Sequence, residues 1–160
     1  MNDDMHMSPR GLDLTKTSEG LLLRAYPDPK TGAKPWTIGY GHTKDVREGD
    51  ICTIEQAMQW LLEDYGWVEQ VIRADVTAPL TQGQYDALGD FIFNEGPGEP
   101  RVKDGFDWLR SGRHSSLLLM VNAGNPLASE QFLQWDVGSL PGLMIRHRRQ
   151  KQLFDTGNWV

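Results

Sequence analysis

The chain carries a single cysteine, Cys52, among 160 residues, so no internal disulfide can form and folding does not depend on an oxidising compartment. No run approaches the ~18 apolar residues of a helical membrane span, so stable membrane insertion is not expected. Met1 to Arg10 is polar and lacks the apolar centre of a secretory signal, so export would need outside help. Positive charge is in short supply: 16 Lys and Arg against 22 Asp and Glu leave a net charge of -6, which argues against a nucleic-acid partner. No grouping of Cys and His has metal-ligand spacing, so neither metal nor cofactor is expected. What remains is globular: 39% apolar residues, 24% charged residues and six tryptophans. A chain of this length suits one domain, able to bury roughly 68–70% of its unfolded surface. The reading is a single domain over 1–160, with 1–7 a polar, frayed tail.

Ser8-Pro9 is a helix-start signal, and Gly20 is placed to end that helix just after Glu19. From Leu21 to Cys52, recurring Gly, Pro and Asp separate short segments such as Trp36-Thr37-Ile38-Gly39-Tyr40, which predicts an antiparallel sheet of two or three short strands. Beyond Cys52 the chain reads as helical. Thr53-Ile54-Glu55-Gln56 and Thr81-Gln82-Gly83-Gln84 fit capping boxes. The first opens a long helix to about Ala74. The second opens one with Tyr85, Leu88, Phe91 and Ile92 on one stripe. Residues 97–114 read as irregular with a short helix near Phe106-Leu109. Further helices are predicted from Ser115 or Ser116 through Val121, near 127–135 and over 141–155. The fold class is α+β: one small sheet followed by a helical body.

The chemistry-bearing stretch runs from Glu19 to His42. Glu19 sits at a helix end, Asp28 at the first turn of the sheet, and Thr37 on a strand that returns alongside. Two carboxyls across a cleft are the minimal apparatus of glycoside hydrolysis, one protonated for the leaving oxygen and one ionised for the water side. Glu19, followed by Leu21, Leu22 and Leu23, suits the first role. Asp28, in a polar turn, suits the second, and a nearby Thr hydroxyl would orient the water.

The run Glu19-Gly20 … Ala25-Tyr26 … Asp28 … Trp36-Thr37-Ile38-Gly39-Tyr40-Gly41-His42-Thr43 resembles the catalytic segment of the phage-type lysozymes of glycoside hydrolase family 24. Phe91-Ile92-Phe93-Asn94-Glu95-Gly96 is similar to that family's Phe-x-x-Asn-x-Gly helix end. Ser115-Ser116-Leu117-Leu118 with Val121-Asn122-Ala123-Gly124, Gln131 to Trp135, and Leu140-Pro141-Gly142-Leu143 … Arg146 … Arg148-Arg149 resemble its later segments, in the same order. Residues 97–114 stand out as an insertion relative to the family, a cleft wall, lid or wall-binding surface on one reading and a peripheral loop on the other.

The resemblance implies a lysozyme-like fold and a muramidase acting on the β-1,4 bond between N-acetylmuramic acid and N-acetylglucosamine in bacterial peptidoglycan. It implies Glu19 as general acid, with Asp28 and Thr37 serving the water in an inverting reaction. Thr43, Phe93 and Ser116 align with positions lining the glycan groove. Arg146, and next Arg149, are candidates for an arginine paired with Glu19, although a solvated helix face or a basic patch facing the anionic wall would also account for the 146–151 cluster. His42 reads as a structural ion-pair partner, and Gly39 and Gly41 as bulge or close-approach positions. The biology implied is a monomeric phage endolysin, made in the bacterial cytoplasm and acting on the wall after another protein permeabilises the membrane. A lytic transglycosylase would need the Glu but not the Asp–Thr pair. A non-catalytic peptidoglycan-binding module is the alternative of another class.

Overall fold

Ser8 and Pro9 start the first helix as their chemistry requires. In a computed structural model, which describes residues 2–29, 31–136, 138 and 140–160, α1 spans Pro9–Glu19. The Ser8 hydroxyl accepts from the Gly11 N–H, satisfying one orphan donor of the first turn. Gly20 follows in the left-handed region at φ 74°. Then come strands β1 (Leu22–Pro27) and β2 (Trp36–Gly39), helices α2 (Ile54–Asp75), α3 (Gln82–Glu95) and α4 (Ser116–Asn122), a 3-10 helix over Ala128–Asp136, and α5 (Pro141–Thr156). Both expected capping boxes form: Thr53 N–H donates to Gln56 Oε1 at 2.8 Å, and Thr81 N–H to Gln84 Oε1 at 2.9 Å. Among the described residues no helix is long and apolar enough to cross a membrane.

The chain divides into two compact units. The smaller, Thr15–Gly66, holds the sheet. Its core is small: Ala25, Ile38, Cys52 and Ala57, with Leu21, Trp36, Tyr40, Val46 and Trp60 packed against them. β1 and β2 are antiparallel, with Leu22 opposite Gly39, Tyr26 opposite Thr37 and Pro27 opposite Trp36. The third strand allowed for by the sequence is reduced to a single bridge, Arg24 with Ile51.

The larger unit, Met1–Leu14 with Trp67–Val160, is built around α3. Tyr85, Leu88, Phe91 and Ile92, the predicted stripe, are all fully buried. So are the intervening residues from Asp86 to Asp90, which marks α3 as a central helix covered on all sides. Each buried acid on it has a task. Asp86 accepts from the N–H and hydroxyl of Ser8, tying the start of α1 to α3. Asp90 receives Arg146 and Gln150 of α5.

Two expectations are corrected, and a third is refined. Residues 2–7 are not a frayed tail: Asn2 is 4% exposed, donates to Ala78 O at 3.0 Å and accepts from Leu80 N–H, while His6 and Met7 bond to Glu69. Polar residues read as solvated when their partners, here more than 60 positions away, are out of sight. No helix forms at Phe106-Leu109. Instead, 97–114 folds into tight turns bridged by Glu99 with Lys103 and Trp108 with His114. Gly98 and Gly105 let two backbone segments pass where a Cβ would meet backbone atoms at 2.0 Å, and Phe106 is fully buried. The helix near 127–135 is wound as a 3-10 helix, in which residues three apart eclipse. That winding puts Phe132 and Trp135 on one side, their rings 5.4 and 5.1 Å from Phe91.

The last residues are clasped. Trp159 lies between the guanidinium groups of Arg10 and Arg149, each 5.1 Å from its ring, and its indole N–H donates to Arg10 O.

Candidate active site

Helix α1 delivers Glu19 as its final residue, and the glycine behind it turns the chain into β1. The carboxylate then comes down on the turn that follows β2. There Ile38 and His42 exchange both backbone hydrogen bonds at 2.9 Å, and Gly41 lies at the crest with φ 90°. A Cβ on Gly41 would stand 3.4 Å from Glu19 Oε2. The glycine therefore serves two ends, a left-handed backbone and room for a carboxylate.

Asp28 follows β1 directly. Its carboxylate accepts from Thr31 N–H at 3.1 Å, and its backbone closes the turn through Gly32 and Ala33, so the side chain is held by an Asx turn. Tyr26, two residues earlier, lies opposite Thr37. Opposed residues share a sheet face, as do residues two apart on a strand. Ala25 and Ile38 point into the small core, so Tyr26 and Thr37 belong to the opposite, solvent side, and Asp28 opens the turn two residues beyond Tyr26. Glu19, Asp28 and Thr37 are thus carried by a single unit of 52 residues, 15–66. The apolar setting expected for Glu19 is not supplied by its sequence neighbours: Glu19 is itself exposed, and Leu22 and Leu23 are 53% and 39% exposed.

His42 is structural, as expected. It is 7% exposed, its Nδ1 lies 2.8 Å from Asp64 Oδ2, and its ring stacks on Trp60 at 4.9 Å between centroids. Asp64 and Trp60, on α2, were not foreseen in these parts. Thr43 is exposed in the same unit. Phe93, half-buried near the end of α3, and Ser116, exposed at the start of α4, belong to the larger unit.

The late basic cluster does not form one face. Arg146 is buried, with Nε and Nη2 on Asp90 at 2.9 and 2.8 Å and Nη1 on Asn94 Oδ1 at 3.0 Å. Arg149 donates to Val160 O at 3.1 Å and stands over Trp159. Lys151 bonds to Asp155 and Glu130, contacts that hold its ammonium above the usual lysine range. Only Arg148 of the four is exposed. Asp90, which fixes Arg146, gave no signal in sequence beyond an acid between the apolar residues Leu88 and Phe91.

Residues 16–152 match the phage lysozyme family. An endolysin of Acyrthosiphon pisum secondary endosymbiont phage 1 is 37% identical over 160 residues, covering 95% of this chain and 99% of that protein. The endolysin of Salmonella phage P22 is 37% identical over 158 residues, covering 94% and 98%. Among solved structures, the muramidase domain of SpmX from Asticaccaulis excentricus is similar at a TM-score of 0.78 and 33% identity, with 94% and 98% covered. A crystal structure of a P22 lysozyme mutant is similar at 0.76 and 35%, with the same coverage. With a family match running from α1 nearly to the end of α5, and relatives that align along almost their whole length, the chain belongs to the phage lysozyme family.

Proposed function

We propose that this lysozyme-type glycoside hydrolase is a muramidase, cleaving the β-1,4 bond between N-acetylmuramic acid and N-acetylglucosamine with inversion. Glu19 protonates the leaving glycosidic oxygen. Asp28 takes the proton of a water that Thr37 orients, and that water attacks the anomeric carbon from the opposite face. The observation that carries this reading is local. The Glu19 carboxylate rests against Gly41, four residues after Thr37, and Thr37 lies opposite Tyr26, two residues before Asp28. The bound glycan itself excludes water from the exposed Glu19. Thr43, Phe93 and Ser116 are assigned to glycan contacts.

The biological role that fits is a phage endolysin acting as a monomer. It is made in the host cytoplasm and reaches peptidoglycan once a second protein has permeabilised the membrane. A lytic transglycosylase on the same bond would have no use for the Asp28–Thr37 arrangement.

The test is clearing of purified peptidoglycan by wild type and Glu19→Gln, followed by product masses. Wild type should release products with reducing muramic-acid ends, and the variant should turn over on the order of 10²–10⁴-fold more slowly. Anhydro products, lighter by one water, would replace the hydrolase with a transglycosylase. Equal clearing by both proteins would remove Glu19 from the chemistry.

A further inference from the structure

One residue past Gly41, His42 opens onto a pocket of about 270 Å³ within the smaller unit. None of the residues lining it has a part in the reaction or in the glycan contacts proposed above. His42 is 7% exposed, and its Nδ1 lies 2.8 Å from Asp64 Oδ2. A carboxylate only accepts, so Nδ1 carries the ring proton and Nε2 of the neutral ring offers a lone pair. Nε2 has no hydrogen-bond partner among the described residues, yet it is not sealed inside the protein. It is an acceptor held in place and presented to the pocket.

The rest of the lining has the same polarity. Asp45 and Asp50 come from the loop after the turn, and Glu63 comes from α2. Asp50 Oδ2 accepts from Arg47 N–H and Glu63 Oε1 from Gln59 Nε2, which leaves each carboxylate a second oxygen. The Asp45 side chain has no hydrogen bond or ion pair among the described residues. Lys44 is the cation of the lining. Trp60, stacked on the His42 ring, and Val46 make its apolar part. Exposed acids alone would be a solvated surface; the nearly buried His42 acceptor is what makes this a site. Acceptors, negative charge and an apolar wall together select a cationic donor on an alkyl chain. A bare metal ion is a poor match, since among the described residues no three His, Cys, Asp or Glu converge to hold one.

We propose that this pocket binds a small alkyl diamine. One ammonium donates to His42 Nε2, the other is held by the carboxylates of Asp45, Asp50 and Glu63, and the methylenes lie against Trp60 and Val46. The carboxylates belong to two elements, the loop over 45–50 and α2, so a bound diamine ties one to the other. It also holds His42, whose backbone exchanges both hydrogen bonds with Ile38 in the turn that carries Gly41 beneath Glu19.

The experiment titrates the full chain with putrescine by calorimetry, with butanediol as the neutral isostere, and follows the histidine ring nitrogens by NMR. Putrescine should bind one to one, and butanediol should not bind. Of the four histidines, His42 should show the largest change, at Nε2. Asp45→Asn and Glu63→Gln, both at exposed positions, should each weaken binding roughly twofold to fivefold, and the pair together about tenfold. Lys44→Gln should tighten it by about twofold, and Asp4→Asn, an equal loss of charge in the larger unit, should leave it unchanged. A tenfold excess of putrescine over its dissociation constant should raise the melting temperature by roughly 3–6 °C. Binding that does not saturate, or that Asp4→Asn weakens as much as Glu63→Gln does, would overturn the proposal by reducing putrescine to a diffuse counterion of an acidic protein. Equal binding of butanediol, or a His42 ring that does not respond, would overturn it as well.

Discussion

The Cα of Gly41 lies beneath the carboxylate of Glu19, close enough that a single added methyl would stand 3.4 Å from Oε2. Gly41→Ala should therefore do two separable things. The backbone at φ 90° should cost about 1–2 kcal/mol of stability. The methyl should shift the carboxylate and slow turnover by about tenfold or more. Gly49→Ala isolates the first effect, since Gly49 has φ 88° and nothing within 4 Å of its would-be Cβ. Thermal melts of the two variants should match, while kcat should fall only in Gly41→Ala. Matching kcat values would mean that contact with Glu19 is not what Gly41 provides.

Asp90 is fully buried and accepts from Arg146 Nε, Arg146 Nη2 and Gln150 Nε2 at 2.9, 2.8 and 2.7 Å. Asp90→Leu takes from the buried guanidinium the carboxylate that receives its Nε and Nη2 and should cost about 3–5 kcal/mol in urea unfolding. The double variant with Arg146→Met removes both charges and should recover a large part of that loss. Additive losses in the double variant would show that Asp90 and Arg146 do not act as a pair.

Tyr85 is fully buried on α3, and its hydroxyl has no hydrogen-bond partner among the described residues. Burial pushes its phenol up to about 12, and the charge of Glu69 adds to the effect. The unfolded chain ionises near 10 while the folded chain stays neutral. Between those values the unfolded state holds fewer protons, so stability falls as pH rises through that window and is unaffected below it. Tyr85→Phe should abolish that alkaline component. At neutral pH it should be neutral or stabilising by up to about 1 kcal/mol, roughly 2–4 °C. Melting curves at pH 7 and across pH 10–12 would check both, and a marked loss at pH 7 would mean the hydroxyl has a partner after all.

Local grammar was the legible part of this fold. Ser8-Pro9, Gly20, Thr53-Gln56 and Thr81-Gln84 each declare an element end through bonds made within a few residues, and each does so here. The placement of Glu19 at a helix end, Asp28 after the first strand and Thr37 on the second was legible for the same reason, because all three lie on one hairpin and the helix entering it. Pairings across long separations were not legible. Nothing near Asp90 announces Arg146, 56 positions away, and nothing near Asn2 announces Ala78. Residues 97–114 defeated the periodic reading for another reason. Phe106 to Leu109 carries helix-compatible side chains, but the segment is governed by the close passage of Gly98 and Gly105, a tertiary condition that no local propensity encodes.

Trp159, held between Arg10 and Arg149, has a consequence for the order of assembly. Its contact with Arg10 spans 149 positions, among the most expensive loops this chain can close in conformational entropy. During vectorial synthesis it cannot form until residue 159 has left the ribosome, on the order of ten seconds after translation starts. Until then the helix that ends in Glu19 lacks its far clasp. Emergence of Trp159 is thus the event that closes the ring, and a nascent chain that has not reached it would differ in how firmly its first helix is held.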